Sequence, residues 1–197
     1  MIVSRLEKKH AAQTASLHIE GISGGFISSL GLDFVTALYE AMAESKSSFG
    51  FVACEGEEVV GFVTFTENIN SLYKSIVLKK GFRFAFLLGS KLFSWTRLKR
   101  IWETLVYPSR IQADDLPAAE LLSIAVSPQV RGQGIASQLI EAGIAECRTR
   151  GMDRVKVLVG ANLAAANKLY LKCGFEKAGE IMNHGALSNI YLRRIVS

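Results

Sequence analysis

Apolar positions along this chain recur in two rhythms. Ile2 to Leu6, Phe49 to Cys54, Val59 to Phe65, Leu121 to Val126 and Val155 to Val159 are short apolar runs rich in branched and aromatic residues. Runs of that length and content predict strands. Glu55-Gly56-Glu57-Glu58 separates the second run from the third, which predicts an antiparallel hairpin. Between the runs the period changes. Ala11, Ala15, Leu17 and Ile19 predict a helix from Lys8 to about Glu20, and Phe34, Ala37, Leu38, Ala41 and Met42 a second one from Leu32 or Asp33 to about Ser45. A glycine-rich loop, Gly21 to Gly31, joins the two. Ile135, Leu139, Ile140, Ile144 and Cys147 predict a third helix, and another runs to Cys173 before two short final strands.

The stretch from about 67 to 112 stands apart. Phe84, Leu88, Leu92, Trp95, Leu98, Trp102 and Leu105 fall three or four residues apart and describe one helical stripe, with Arg83, Arg97 and Arg100 largely opposite. Gly81 and Gly89 weaken that helix locally. The formal charge of the chain is +5, and this stretch alone carries +7, so the basicity belongs to one segment. Three readings stay open for it: a lid packed on the domain, a basic amphipathic helix contacting an anionic membrane surface through residues 76–106, and a homodimer contact. With no recognised reader module, no specific nucleic acid is expected.

Candidate chemistry concentrates downstream. Leu121 to Val126 ends at Ser127-Pro128, and Gln129-Val-Arg131-Gly132-Gln133-Gly134 leads into the helix that begins at Ile135 and Ala136. The first N–H groups of a helix have no internal acceptor and the dipole favours an anion there. Gly132 and Gly134 carry no Cβ, so a phosphate can approach the backbone, and Arg131 adds positive charge. No Lys-Ser/Thr follows Gly134, which rules out a Walker loop. The dinucleotide fingerprint fits poorly as well. Its third glycine is Ser137 here, and Asp153 precedes the next strand rather than closing it.

Gln129-x-x-Gly132-x-Gly134 after a strand ending Ala-Val-x-Pro resembles the pyrophosphate loop of the GNAT superfamily of N-acetyltransferases. Leu169-Tyr170-Leu-Lys-Cys-Gly174-Phe175 resembles the motif that closes that family's last helix. The specific resemblance spans about residues 119–176. It implies an α/β (α+β) fold of the GNAT type: one domain over 1–197 with a mixed, mainly antiparallel central sheet flanked by helices, and a helical basic insertion between the third and fourth strands. The family normally makes that connection short, so the insertion is the chief departure.

The resemblance also implies chemistry. Acetyl-CoA is the donor. The fourth strand splays from the fifth at a bulge, and pantetheine pairs with the backbone of Ile124, Ala125 and Val126, with an N–H near Val126 on the thioester oxygen. The pyrophosphate sits on Arg131, Gly132, Gln133, Gly134, Ile135 and Ala136. Tyr170 is the family's usual general acid toward the departing thiolate, and Glu120, six residues before Val126, is the candidate general base. Asn162 precedes Tyr170 by eight residues where the family often places Asn at seven, so it reads as a contact to the pantetheine arm, as the N-cap of the helix, or as both.

The expected function is transfer of an acetyl group to a primary amine of a small molecule, in a ternary complex. An acceptor with an anionic portion, such as a nucleotide-linked amino sugar, suits a basic cover. Two alternatives remain: acetylation of a protein N-terminus or lysine, and a non-catalytic CoA-binding module that docks on a membrane or partner. The expected state is monomer or homodimer. The first residues show no apolar signal region, and no uncharged run approaches the ~20 residues of a membrane span. Cys54, Cys147 and Cys173 form no paired framework, and the spacing of the three histidines suggests no metal site. A reduced cytoplasmic protein is expected, peripheral to the inner face of a membrane if the insertion docks there.

Overall fold

The computed structural model describes residues 1–89, 116–183 and 186–195. Its elements run β1 (Ile2–Arg5), α1 (Ala11–Gly21), α2 (Leu32–Glu44), β2 (Ser48–Glu55), β3 (Glu58–Thr66), α3 (Ile69–Gly89), β4 (Glu120–Val126), α4 (Ile135–Thr149), β5 (Arg154–Gly160), α5 (Ala164–Lys172), β6 (Glu176–Asn183) and β7 (Ala186–Arg194). Among the described residues seven strands form one sheet in the order β1-β2-β3-β4-β5-β7-β6. Every neighbouring pair is antiparallel except β4 with β5. The final hairpin is longer than its sequence suggests, eight and nine residues, and β7 rather than β6 pairs with β5.

Side-chain alternation divides the core between the two faces of the sheet. Phe49, Ala53, Val63, Phe65, Leu121 and Val157 pack under α4 and α5. Val52, Phe62 and Ala125 pack under α1, α2 and α3. Helix α4 lies unusually close to the sheet. A Cβ on Gly143 would stand 2.0 Å from Phe65 Cε2, so only glycine permits that approach. Gly21 does the same for α1, where a Cβ would stand 2.9 Å from the Cβ of Ala125 on β4.

The segment after β3 departs in detail from its sequence reading. Helix α3 begins at Ile69 and turns Leu72, Ile76, Phe84 and Leu87 toward α2, with Phe84 edge-on to Phe34 at 5.1 Å between ring centroids. Arg83 is not opposite that packed face. It lies at its rim, 2.5 Å from Glu40 on α2, because residues 83 and 84 are adjacent on the helix surface. The rest of the predicted stripe, from Leu88 through Leu92, Trp95, Leu98, Trp102 and Leu105, lies outside the described side chains, as do Arg97 and Arg100. Among the described residues no helix is long and apolar enough to cross a membrane.

Candidate active site

The site is made by a fault in strand pairing. Along β3 and β4, Phe65 faces Leu121 and Thr64 faces Ser123, so Leu122 has no partner and forms a bulge. The extra residue shifts the alternation by one. Leu121, Ile124 and Val126 pack toward α4, whereas Leu122 and Ala125 pack toward α1 and α2. On the other edge, β4 meets β5 through only Glu120–Lys156 and Leu121–Val157. Beyond the bulge the two strands part, while β5 continues to Gly160 alongside β7. The backbone of Ile124, Ala125 and Val126 therefore has no strand partner on its β5 side.

Residues that anchor the bulge were not evident in the sequence. The Ser123 hydroxyl lies 2.9 Å from Thr64 Oγ1 and 3.1 Å from the Tyr39 hydroxyl, and Tyr39 lies 2.6 Å from His18 Nδ1. Strands β3 and β4 and helices α1 and α2 thus meet in one buried polar chain. Burial raises the Tyr39 phenol and lowers His18 to about 4, and His18 Nε2 is buried with no partner among the described residues. A period-based reading sees Tyr39 and Ser123 only as members of apolar elements.

Next to the cleft, Pro128–Val130 makes a 3-10 turn and α4 begins after Gly134. Val130 and Ile135 are buried at the two ends of the loop, and Arg131, Gly132, Gln133 and Gly134 between them are exposed. Gly132 and Gly134 have φ of +82° and +78°, with nothing within 4 Å of the place a Cβ would occupy. Such φ values disfavour other residues, and the open space admits a ligand against the backbone. No side chain caps α4, so the N–H groups of its first turn remain donors for an anion. Ala136 lies in that turn. Arg131 Nε donates to the Val126 carbonyl at 3.1 Å, which ties the loop to the end of β4 and leaves the terminal guanidinium N–H groups for a phosphate.

The second motif has a local physical origin. Phe175 N donates to the Tyr170 carbonyl at 3.0 Å and Gly174 N to that of Leu171 at 3.1 Å, with Gly174 at φ +73°. This is a Schellman ending, in which a left-handed glycine stops the helix and the next residue packs back on its last turn. Phe175 accordingly stands edge-on to Tyr170 at 5.6 Å, and Tyr191 lies on another side at 6.2 Å. Tyr170 is buried on the same face of the sheet as the Gly132–Gly134 loop, and burial raises its phenol, which stays protonated.

Two further predicted residues sit differently from expectation. Asn162 does not cap α5. The helix starts at Ala164 with Leu163 in the N-cap position and no side-chain cap. Asn162 Oδ1 instead lies 2.8 Å from where a Cβ on Gly160 would be, folded against the end of β5. The fastening role falls to Asn167, to which the sequence assigns nothing. Its Nδ2 donates to the Gly160 and Leu163 carbonyls at 3.0 and 2.8 Å, and its Oδ1 accepts from Asn189 at 2.7 Å and Tyr191 at 2.9 Å. The one signal available was an asparagine just before the apolar Ile190-Tyr191-Leu192 of β7, which must find a polar partner when buried.

Glu120 occupies the paired end of the cleft. It is buried, with Lys156 Nζ 3.8 Å away, and burial pushes its carboxyl up to about 7 against the pull of that ammonium. Burial raises the phenol of Tyr73 on α3 to about 12, and the nearby Glu120 carboxylate adds to it. At roughly 3.3 Å per residue, Glu120 lies about 20 Å along the strand from Val126 and about 10 Å from Ser123. Among the described residues no cluster of histidine, cysteine or carboxylate side chains could hold a metal.

Comparison with known proteins agrees with this fold. The model of the acetyltransferase (GNAT) family matches residues 26–175. A mycothiol acetyltransferase of Thermobispora bispora is 32% identical over 85 residues, which is 43% of this chain and 26% of that protein. The chain thus matches about a quarter of that relative's length. Among solved structures, an N-acetyltransferase of Staphylococcus aureus superposes with a TM-score of 0.65 at 20% identity, covering 99% of this chain and 98% of its own. The ribosomal-protein-S18-alanine N-acetyltransferase of Escherichia coli gives 0.62 at 16% identity, covering 100% and 94%.

Proposed function

The chain belongs to the GNAT acetyltransferase family, and from that premise we propose that it moves an acetyl group from acetyl-CoA to a primary amine of a small molecule within a ternary complex. The observation that carries this reading is the parting of β4 from β5 after two residue pairs, beside an uncapped helix start behind two open glycines. Pantetheine lies along Ile124, Ala125 and Val126, whose edge offers backbone groups to an extended chain. The pyrophosphate lies on the N–H groups of residues 131–136, with Gln133 and the Arg131 guanidinium at its side. Asn162, folded at the end of β5, borders the pantetheine arm.

The chemistry needs a neutral amine, a stabilised oxyanion and a protonated leaving thiolate. A backbone N–H of the unpaired β4 edge binds the thioester oxygen as it gains charge. The amine nitrogen attacks the carbonyl carbon, the C–S bond breaks, and Tyr170 gives its proton to the sulfur. The phenol is protonated at neutral pH, so it holds the proton that the departing sulfur requires. Glu120 takes the amine proton through water along the Ser123 side of the strand, its carboxyl pushed into the range suited to a base near neutrality.

The mycothiol acetyltransferase relative favours a small-molecule acceptor. Titration calorimetry with acetyl-CoA and with NAD, followed by an amine screen, tests the reading. Acetyl-CoA binding without NAD binding and turnover that falls at least tenfold in Tyr170→Phe with little change in donor KM are expected. An acid limb near pH 7 that disappears in Glu120→Gln is expected as well. Absence of acetyl-CoA binding would remove the donor assignment, and turnover on peptide N-termini or lysines alone would replace the acceptor.

A further inference from the structure

Helix α3 has a second apolar face, which no other described element packs against. Leu78, Phe82 and Phe86 are 85%, 91% and 79% exposed. They succeed one another at four-residue intervals, so at about 100° per residue they form a narrow stripe roughly 12 Å long. Lys74 lies about 40° to one side of Leu78 and Lys79 about 20° beyond Phe86 on the other. Both lysines are exposed and have no ion pair among the described residues. The inward cations of the helix are matched: Lys80 meets Glu44 at 2.8 Å and Arg83 meets Glu40 at 2.5 Å. Residues 69–89 contain no acid that could offset the outer pair.

From this arrangement we propose that the outward face of α3 docks on an anionic lipid bilayer, lying in the interface with Leu78, Phe82 and Phe86 among the acyl chains. Charge selects this occupant. A stripe bounded on both sides by unmatched lysines repels a second copy of itself, because a two-fold contact would bring lysines onto lysines. Against an anionic surface the same lysines gain attraction, while their long stems stay apolar beside the stripe and their ammonium groups reach the headgroups. Among the described residues no helix is long and apolar enough to cross a bilayer, so α3 as described is taken to lie on it. This inference stands apart from the acetyl-transfer reading, since its test reads partition and not turnover.

The test is co-sedimentation of the full chain with vesicles of phosphatidylglycerol and phosphatidylcholine, with pure phosphatidylcholine as comparison. Binding to the anionic vesicles is expected, weakened by salt. Phe82→Glu should cut it at least tenfold, and Lys74→Glu with Lys79→Glu by about fivefold per charge removed. Since all three residues are exposed, circular dichroism and the melting temperature should stay at their original values, which separates lost docking from lost folding. No sedimentation with anionic vesicles, equal binding to neutral ones, or unchanged binding of Phe82→Glu would each overturn the proposal. A dimer in sedimentation velocity that Phe82→Glu dissolves, without vesicle binding, would assign the face to a second copy instead.

Discussion

Gly143 sits in the middle of α4, where replacing glycine by alanine ordinarily stabilises a helix by about 1 kcal/mol. Here the opposite sign is expected. The added Cβ would stand 2.0 Å from Phe65 Cε2 and 2.4 Å from Cζ, against the ~3.5 Å at which carbon atoms rest. Phe65 is fully buried and cannot step aside freely. Its ring stacks on Phe49 at 5.3 Å and 4°, and the Arg150 guanidinium covers Phe49 from 4.5 Å. Moving Phe65 by the required ångström or more sacrifices that stack, worth about 1 kcal/mol, and strains its neighbours. Overpacking of this kind costs typically 1–3 kcal/mol, and this clash belongs at the upper end. After subtracting the propensity gain, Gly143→Ala should destabilise by about 2 kcal/mol. Urea unfolding followed by circular dichroism should show the midpoint falling by about 0.7–1 M at an m-value of ~2–3 kcal/mol/M. The same substitution made in a Phe65→Leu background should cost little or become favourable, giving a coupling above about 0.5 kcal/mol. Stabilisation by the single change, or the same cost in both backgrounds, would refute the claim that contact with Phe65 is what demands glycine.

Three further outcomes follow from other parts of the molecule. His18 is lowered from 6.5 to about 4, so the folded state binds fewer protons than the unfolded chain. Its contribution is fully present above pH 6.5 and is lost as pH falls toward 4, about 3 kcal/mol in all, and that slope should be missing from unfolding curves of His18→Gln. Gly134→Ala meets no neighbour within 4 Å but sits at φ +78°, so it should cost about 1–2 kcal/mol in urea unfolding and raise the donor KM far more than it lowers kcat. Asn167→Asp loses both donations to the Gly160 and Leu163 carbonyls and sets an anion against them. A loss of about 3 kcal/mol is expected at pH 7 by denaturant unfolding, smaller in acid, where a protonated carboxyl can donate again.

What could be read from residues alone was local. The strand, glycine loop and helix start around Val126 to Ile135 obey short-range rules of period and φ, and the Leu169–Phe175 motif is a helix ending whose every bond spans five residues or fewer. What escaped depends on partners distant in sequence. The bulge at Leu122 exists only relative to the register of β3, so no pattern within β4 discloses it. Asn167 acquires its role from Gly160 on β5 and from Asn189 and Tyr191 on β7. For Asn162 the sequence leaves a cap and a pantetheine contact open; the helix begins one residue too late for the cap, which only the fold discloses. On α3, periodicity found the apolar positions, and the packing against α2 decided which of them face inward.

The two pairings between β4 and β5 make the sheet a jointed object. β1 to β4 form one half and β5 to β7 the other, and the strands meet across the seam only from Ala119 to Leu121. A donor bound as proposed would act as a further strand in the seam and carry the backbone pairing beyond Leu121, where β4 and β5 no longer meet. Occupancy should therefore stiffen the molecule beyond the contacts of the donor itself. Amides of Ile124 to Val126 should exchange with solvent in the free protein and slow when the donor binds. Cohesion of the two halves, and not just affinity, then becomes a reporter of the loaded state.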